Sequence, residues 1–198
     1  MGAGSGFFSK FLLSETGAET ACCVDVGYDV ECDNTEAGKP IQYRRSIDTS
    51  DADIVLLMDV LEHVDDDIGL LKEYAAKVRK GTFFLISVPA FEWLWSGHDE
   101  FLGHKRRYTV TQIENTAERA GLSVRTGVYF FGAVFPVAVF LRMTEKIFKG
   151  PARPPRSQMK QHSFVVNETL ARLSHMELLG MTRNRLVGLT VFCLAQAG

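Results

Sequence analysis

The chain has 198 residues, of which 46% are hydrophobic and 23% are charged, and its formal net charge is −2. This length predicts a single domain over residues 1–198, because two ordinary domains with linkers would need a longer chain. The balance of apolar and charged residues excludes a disordered or fibrous protein, and the small net charge gives no global field to attract nucleic acid.

The cysteines and the first residues bear on the compartment. Cys22, Cys23, Cys32 and Cys193 show no CxxC spacing, which predicts reduced thiols rather than a metal site or disulfides. No basic region followed by an apolar core and a cleavage site opens the sequence, so we expect no secretory signal and a cytoplasmic protein.

Short β-rich runs alternate with helical patterns along the chain. Strands are predicted over residues 19–26, 54–58, 82–88, 123–131 and 186–195, and helices over residues 6–14, 66–78 and 111–120. Gly81 is expected to stop the second helix. Thr109 begins the third, in which Thr111 and Glu114 have the spacing of a capping box. This alternation predicts an α/β fold with a mostly parallel sheet covered on both faces.

A helical insertion is predicted at about residues 132–183, between the last two strands. A proline-rich turn at residues 150–155 would separate an apolar helix from an amphipathic helix near residues 167–179. The apolar run at residues 128–143 is shorter than the ~20 residues that span a bilayer. It could contact a membrane peripherally or cover a lipid-like acceptor; it could equally be a buried strand entering a core helix, or a dimer face.

A glycine-rich turn opens the sequence, with Gly2, Gly4 and Gly6 in the pattern GxGxG directly before the first helix. The missing side chains let a ligand approach the backbone, and the N–H groups of the helix favour an electronegative group. Phe7 stands where GxGxxG would need its last glycine, which counts against a dinucleotide and for S-adenosylmethionine. Asp25 ends the next strand, where its carboxylate can accept hydrogen bonds from ribose hydroxyls.

Polar residues follow the strand at residues 54–58. Asp59, Glu62 and His63 come at its carboxyl end, the edge where parallel sheets bind ligands. His63 could equally be a histidine that only begins a helix.

These segments together resemble the class I S-adenosylmethionine-dependent methyltransferases. The segments GAGSG, VDVGYD, DIVLLMDVLEHV and KVRKGTFFLISVPA are similar to the successive motifs of that superfamily, and WLWSGHDEFLGHKRRYT resembles a bacterial subgroup with an HD...GHxRRY segment. The resemblance implies a Rossmann-like fold that ends in an antiparallel hairpin of the last two strands.

The resemblance also implies roles for individual residues. Gly2, Gly4 and Gly6 would lie against the methionine part of S-adenosylmethionine, and Asp25 would hold the ribose. Asp48 would lie near the adenine, with Asp51 and Asp53 as close competitors. Asp59 would approach the methionine amino group, with Glu62 and His63 just beyond it.

One departure from the superfamily concerns the start of the chain. The glycine loop of the superfamily follows a central apolar strand that ends in an acidic residue, and neither precedes Gly2 here. We expect that this strand is missing through a late start or a truncation. The alternative is a degenerate relative that no longer catalyses.

The segment at residues 97–109 is the candidate acceptor side. Removal of a proton from an oxygen or nitrogen acceptor needs a base, and His98 and His104 are the candidates, with Asp99 able to orient an imidazole. Three further residues could bind the acceptor, the arginines by clamping a carboxylate or phosphate: Arg106, Arg107 and Tyr108. The alternative is that one arginine pairs with a nearby acid and closes the loop.

We therefore predict methyl transfer from S-adenosylmethionine to a small-molecule, sugar or lipid-linked acceptor, without a required metal. A zinc site formed by His98, Asp99 and His104 is a minor alternative. The chain could instead be a non-catalytic cofactor- or partner-binding module of the same fold or, with less support, an NAD-dependent oxidoreductase. A single basic cluster and no stacking motif argue against a nucleic-acid acceptor.

Overall fold

The computed structural model describes residues 2–148 and 164–198, with side chains for residues 2–144 and 167–198. The helices are α1 (Phe7–Glu15), α2 (Asp67–Lys77), α3 (Gly97–Leu102), α4 (Val110–Arg119), α5 (Phe135–Phe148) and α6 (Phe164–Leu178). The strands are β1 (Ala21–Val24), β2 (Cys32–Glu36), β3 (Lys39–Arg44), β4 (Ile54–Met58), β5 (Phe83–Pro89), β6 (Leu122–Phe130) and β7 (Thr190–Ala197).

The larger sheet has the strand order β4-β5-β7-β6. β4 and β5 are parallel, and β7 runs antiparallel to both β5 and β6. The apolar β-branched and aromatic residues of these strands form the main core, together with Ile113 and Ala117 of α4. β7 alternates between buried and half-buried residues, as expected for a strand with side chains on two faces. This sheet confirms the predicted antiparallel hairpin of the last two strands.

The smaller sheet has the order β1-β3-β2, in which β1 and β3 are parallel and β2 is antiparallel to β3. Leu13, Cys23 and Ile41 form its core beneath α1. The sequence did not predict β2 and β3. All of β2 is exposed or half-buried, so the segment CDNTE carries no alternating apolar pattern to reveal it.

A cavity of about 1240 Å³ lies between the two sheets. β1 is hydrogen-bonded to β3 and β4 to β5, and no strand within the described residues lies between β1 and β4. The walls of the cavity include half-buried Leu56 of β4 and exposed Cys22 of β1. The expectation that a first strand is missing stays a prediction.

The predicted elements mostly recur, with corrections at their ends. β4 spans the predicted residues, whereas β7 begins at Thr190 rather than at residue 186. α2 ends at Lys77, before Gly81. The predicted capping box was wrong: Thr109 caps α4 and pairs with Gln112, because a cap must precede the first helical residue.

The predicted insertion contains α5 and α6, as its apolar and amphipathic patterns indicated. Its proline-rich turn at residues 150–155 lies outside the described residues. Among the helices of residues 2–148 and 164–198, none has both the length and the apolar character needed to cross a bilayer.

Candidate active site

The glycine loop is fixed to the end of β1 by hydrogen bonds. The backbone N–H of Ala3 donates to the carbonyl of Val24 at 3.1 Å, and that of Gly4 donates to Asp25 Oδ2 at 2.8 Å. The other oxygen, Asp25 Oδ1, accepts the N–H of Gly27 at 2.9 Å, and the Tyr28 hydroxyl donates to the Gly4 carbonyl at 2.8 Å. Loop and carboxylate therefore form one preorganised unit.

The conformation of this loop requires glycine. Gly2, Gly4 and Gly6 have φ angles of 59°, 50° and 74°, which glycine adopts without the steric cost of a side chain. A Cβ on Gly2 would lie 2.8 Å from Val60 Cγ2, whereas one on Gly4 would meet nothing within 4 Å. The loop thus joins the carboxyl ends of β1 and β4 and leaves open space beside Gly4, where a cofactor can approach the backbone.

Asp59 lies directly after β4 in a left-handed conformation, with φ 54°. Its N–H lies 3.0 Å from the carbonyl of Ser87 in β5, and the Ser87 hydroxyl donates to Asp59 Oδ1 at 3.1 Å. Non-glycine residues hold such a φ only where neighbouring contacts impose it. The exposed carboxylate of Asp59 is thereby fixed at the same edge as the glycine loop.

Glu62, in the 3-10 helix Leu61–His63, is fully buried. Neither of its carboxylate oxygens has a hydrogen-bond partner among the described residues. Burial is the main reason that its pKa rises to about 8. The backbone N–H of Glu62 itself lowers the pKa, the charge of Asp59 raises it, Arg107 lowers it and Asp99 raises it slightly. A buried carboxyl without hydrogen-bond partners destabilises the folded protein in either protonation state. The position of Glu62 therefore does not serve the stability of the fold.

Two imidazoles lie beside this carboxyl. The rings of His63 and His104 are edge to face with centroids 4.8 Å apart. One side-chain donor atom each of Glu62, His63 and His104 lies within 4.8 Å of the others. The Lys105 N–H donates to the Glu62 carbonyl at 2.7 Å, which holds the His104 segment against the end of β4.

Asp99 orients His104. It is fully buried, and its Oδ1 lies 3.0 Å from His104 Nδ1 and accepts Arg107 Nε–H at 2.7 Å. Burial alone would raise the pKa of Asp99, but the hydrogen bond and charge of Arg107 outweigh burial, and the backbone of Ser96 adds to them, so the pKa falls to about 2. Asp99 is therefore an ionised acceptor at neutral pH, and burial lowers the pKa of His104 despite it.

The predicted acceptor-binding residues make internal contacts. Arg107 is buried against Asp99, and Arg106 donates to the carbonyls of Val64 and Asp65 at 3.2 and 2.7 Å. The buried Tyr108 hydroxyl donates to Asp67 Oδ2 at 2.8 Å, and burial raises its pKa. Of the two alternatives for the arginines, these contacts favour the one in which an arginine pairs with a nearby acid and closes the loop. They do not favour a clamp on the acceptor.

Two other predicted residues lie apart from these contacts. His98 is in the first turn of α3 and is not part of the Glu62, His63 and His104 cluster. Asp48 lies on the wall of the cavity between the sheets, and its charge helps raise the pKa of Lys77, after the larger effect of the Glu73 hydrogen bond. The role of Asp48 near the adenine stays a prediction.

The sequence did not single out Ser87, Tyr28 or Ser96. Ser87 holds Asp59, Tyr28 holds the glycine loop, and Ser96 caps α3 while donating to Asp99. Only Ser96 had a signal, since Ser96 and Asp99 have the spacing of a capping box. The contacts of Ser87 and Tyr28 link residues 28 and 24 positions apart, which spacing does not reveal.

The sequence also matches a known protein family whose members would use such a site. A profile of the methyltransferase-domain family matches residues 1–126. The chain therefore belongs to that family: it is an S-adenosylmethionine-dependent methyltransferase with the Rossmann-like class I fold. No curated protein matches the sequence.

Solved structures of low sequence identity share the fold. A Haloferax volcanii methyltransferase, in complex with the Trm112 activator, is 16% identical with a TM-score of 0.56, over 99% of this chain and 79% of that one. An S-adenosylmethionine-dependent methyltransferase from Archaeoglobus fulgidus is 16% identical with a TM-score of 0.53, over 98% and 83%. Phosphoethanolamine N-methyltransferase 2 of Haemonchus contortus, in complex with S-adenosylmethionine, is 15% identical with a TM-score of 0.52, over 98% and 47%.

Proposed function

We propose that this methyltransferase acts on a small-molecule or lipid-linked acceptor whose apolar part lies against α5. The observation that carries the proposal is the exposed apolar surface of that helix, which packs against the segment that precedes α3. Several side chains of α5 are more than half exposed: Val137, Phe140, Leu141 and Met143. Exposed apolar surface of this kind is characteristic of ligand, protein or membrane contact.

Contacts join α5 to the segment that precedes α3. Phe135 packs edge to face on Phe91 and Trp93, with ring centroids 5.6 and 5.9 Å apart. Arg142 donates to the carbonyl of Leu94. These contacts place α5 against residues 91–94, the segment that leads into α3, and α3 contains Asp99, which orients His104. An acceptor with an apolar tail and a polar reactive end would match both surfaces.

The residues at the carboxyl edge fit the cofactor. We assign the open face of Gly4 to the methionine part, Asp25 to the ribose hydroxyls and Asp59 to the methionine amino group. Asp25 already accepts one hydrogen bond on each oxygen, and each carboxylate oxygen can accept a second. Bound S-adenosylmethionine supplies an electrophilic methyl group on a sulfonium, so the protein must position a nucleophile in line with it.

His104 is the proposed base. A hydrogen bond from Nδ1–H to ionised Asp99 leaves the lone pair on Nε2. Burial lowers the pKa of His104, so the neutral imidazole that a base requires is the main form near pH 7. His98, in the first turn of α3, is the second candidate.

Titration calorimetry with S-adenosylmethionine, S-adenosylhomocysteine and NAD tests the cofactor assignments. Binding of the two sulfur ligands and not of NAD is expected. An NAD response without a sulfur-ligand response would overturn them.

Release of S-adenosylhomocysteine with polar and lipid extracts as acceptors tests the acceptor class. We expect turnover with the lipid extract and weaker turnover after Phe140→Ser, with Leu186→Ser, another exposed apolar position, as the control. Turnover only with polar extracts, unchanged by Phe140→Ser, contradicts the role of α5. Liposome flotation separates membrane binding from recognition of a free apolar molecule.

A further inference from the structure

The buried side-chain carboxyl of Glu62 has no hydrogen-bond partner among the described residues, whereas the neighbouring buried carboxylate of Asp99 has several. Asp99, equally buried, accepts hydrogen bonds from Arg107 and Ser96. Both oxygens of Glu62 are without a hydrogen bond among the described residues, although a buried carboxylate needs hydrogen bonds, an opposite charge or a metal ion. The imidazoles of His63 and His104 lie beside it, and the carboxylates of Asp59 and Asp99 are near enough for their charges to act on it.

The orientation of His104 suits a metal ligand. Its Nδ1 lies 3.0 Å from Asp99 Oδ1, so Nε2 presents its lone pair. Metal-binding histidines commonly donate their second ring N–H to a carboxylate, which fixes the tautomer and strengthens the ligand. Arg107, within 2.7 Å of the same Asp99 oxygen, holds that carboxylate in place from behind.

We propose that Glu62, His63 and His104 bind a divalent transition-metal ion of the zinc type. Donor atoms of the three residues lie within 4.8 Å of one another. Ligand atoms about 2.0–2.2 Å from one tetrahedral ion lie about 3.4 Å apart, so the side chains would move towards one another by up to about 1.4 Å on binding. Two imidazoles and one carboxylate are the protein ligands of one class of catalytic zinc site, which keeps a further coordination position open. The sequence predicted no required metal, because Glu62 and His104 lie far apart along the chain and their spacing matches no metal motif.

The ion would also supply what the neighbouring residues lack. It would compensate the charge of the buried Glu62 carboxylate, and exposed His63 gives the site a path to solvent. If the function proposed above holds, the ion would coordinate an acceptor hydroxyl and lower its pKa; His104 would then be a ligand rather than the base.

Metal binding can be measured without cofactor or acceptor. After chelator treatment and dialysis, the whole chain is titrated with Zn²⁺ by calorimetry and with Co²⁺ by its visible d–d absorption. We expect about one ion per chain with an absorption typical of nitrogen and oxygen ligands. Absence of one-to-one binding by both ions overturns the proposal.

Matched variants locate the site. Glu62→Gln and His63→Asn are each expected to weaken binding by at least ~10-fold, whereas Glu73→Gln and His175→Asn, which lie outside the cluster, leave it unchanged. His63 is exposed, so His63→Asn tests the site with little risk of unfolding. Equal affinity in all four variants overturns the assignment of ligands even if one ion binds.

Methyl transfer provides the second readout and keeps the two proposals distinct. Activity that falls with chelator and returns with Zn²⁺ supports the acceptor role of the ion. Binding of Zn²⁺ at the site without an effect on methyl transfer retains the site but overturns both the acceptor role of the ion and the assignment of His104 as base, because a metal-bound Nε2 cannot take up a proton. Loss of cofactor binding alone overturns only the cofactor assignments.

Discussion

The carboxylate of Asp25 stabilises the glycine loop and is also the proposed ligand of the ribose hydroxyls. Its Oδ2 accepts the Gly4 N–H that fixes the glycine loop, and its Oδ1 accepts the Gly27 N–H that fixes the following turn. The proposed recognition of the cofactor and the geometry of the loop therefore depend on the same side chain. Substitution of Asp25 is expected to affect both.

Asp25→Asn is expected to weaken S-adenosylmethionine binding by about 10-fold or more, since hydrogen bonds to a charged group contribute about 1.5–3 kcal/mol. Calorimetry measures the change. Asp29→Asn, exposed in the same segment, is the matched control and should bind normally. An unchanged affinity for Asp25→Asn would remove Asp25 from the cofactor site.

The pair of Arg107 and Asp99 allows a second test at single residues. Both side chains are at most 5% exposed, and removal of one member leaves a buried uncompensated charge. Arg107→Met is expected to lower the free energy of unfolding by about 3–5 kcal/mol, measured by urea denaturation. Arg79→Ala removes the exposed pair with Asp53 and should cost less than about 1 kcal/mol. Similar costs for the two variants would contradict a structural role for Arg107.

Among the elements, α4 shows how a cap decides where a helix begins. The Thr109 side chain accepts the Gln112 N–H, and the Gln112 side chain accepts the N–H of Thr109. The sequence contained two candidate threonines at this helix start, and spacing alone favoured Thr111 wrongly. The backbone of Thr109 is extended, as a cap requires.

Thr109→Ala is expected to lower the free energy of unfolding by about 1 kcal/mol, the usual value of an N-cap. Thr111→Ala, exposed inside the same helix, is the control and should be close to neutral. Thermal or urea unfolding measures both. A larger cost at Thr111 would restore the capping box that the sequence predicted.

Strong local patterns predicted the elements, and weak ones did not. β4 was predicted with its exact bounds because IVLLM is an uninterrupted apolar run. β2 is polar, and α3 has six residues, so neither carries a usable period. The glycine loop and the polar residues of the site were recognisable individually. The sequence also predicted that Asp99 could orient an imidazole, because Asp99 and His104 lie in one short segment. The approach of Glu62 and His63 to His104 was not predicted, since it depends on the packing of segments that are far apart along the chain.

The whole molecule consists of two packed units of unequal size. The larger sheet and its helices enclose an extensive core, whereas the smaller sheet has a core of Leu13, Cys23 and Ile41. Stability within a protein follows the number of buried apolar contacts. The proposed cofactor residues are divided between the units, with Asp25 on the smaller and Asp59 on the larger.

Amide hydrogen exchange is therefore expected to be faster in β1 and β3 than in β5 and β7. S-adenosylmethionine should slow exchange in β1 and β3 most, because a ligand that binds both units stabilises the weaker one. Exchange measured by mass spectrometry, with and without cofactor, checks both statements. Equal protection of the two sheets without cofactor would contradict the difference between the cores.

The cavity between the sheets makes β1 and β4 edge strands on the sides that face it. An edge strand presents backbone N–H and C=O groups that act as a template for a further extended segment. Here two such templates border one space, so an inserted segment would gain main-chain hydrogen bonds on both sides, as in strand addition. Asp48, Asp51 and Asp53 on the wall would favour a basic segment over an acidic one. An extended segment that filled this space would therefore cover both exposed strand edges at once.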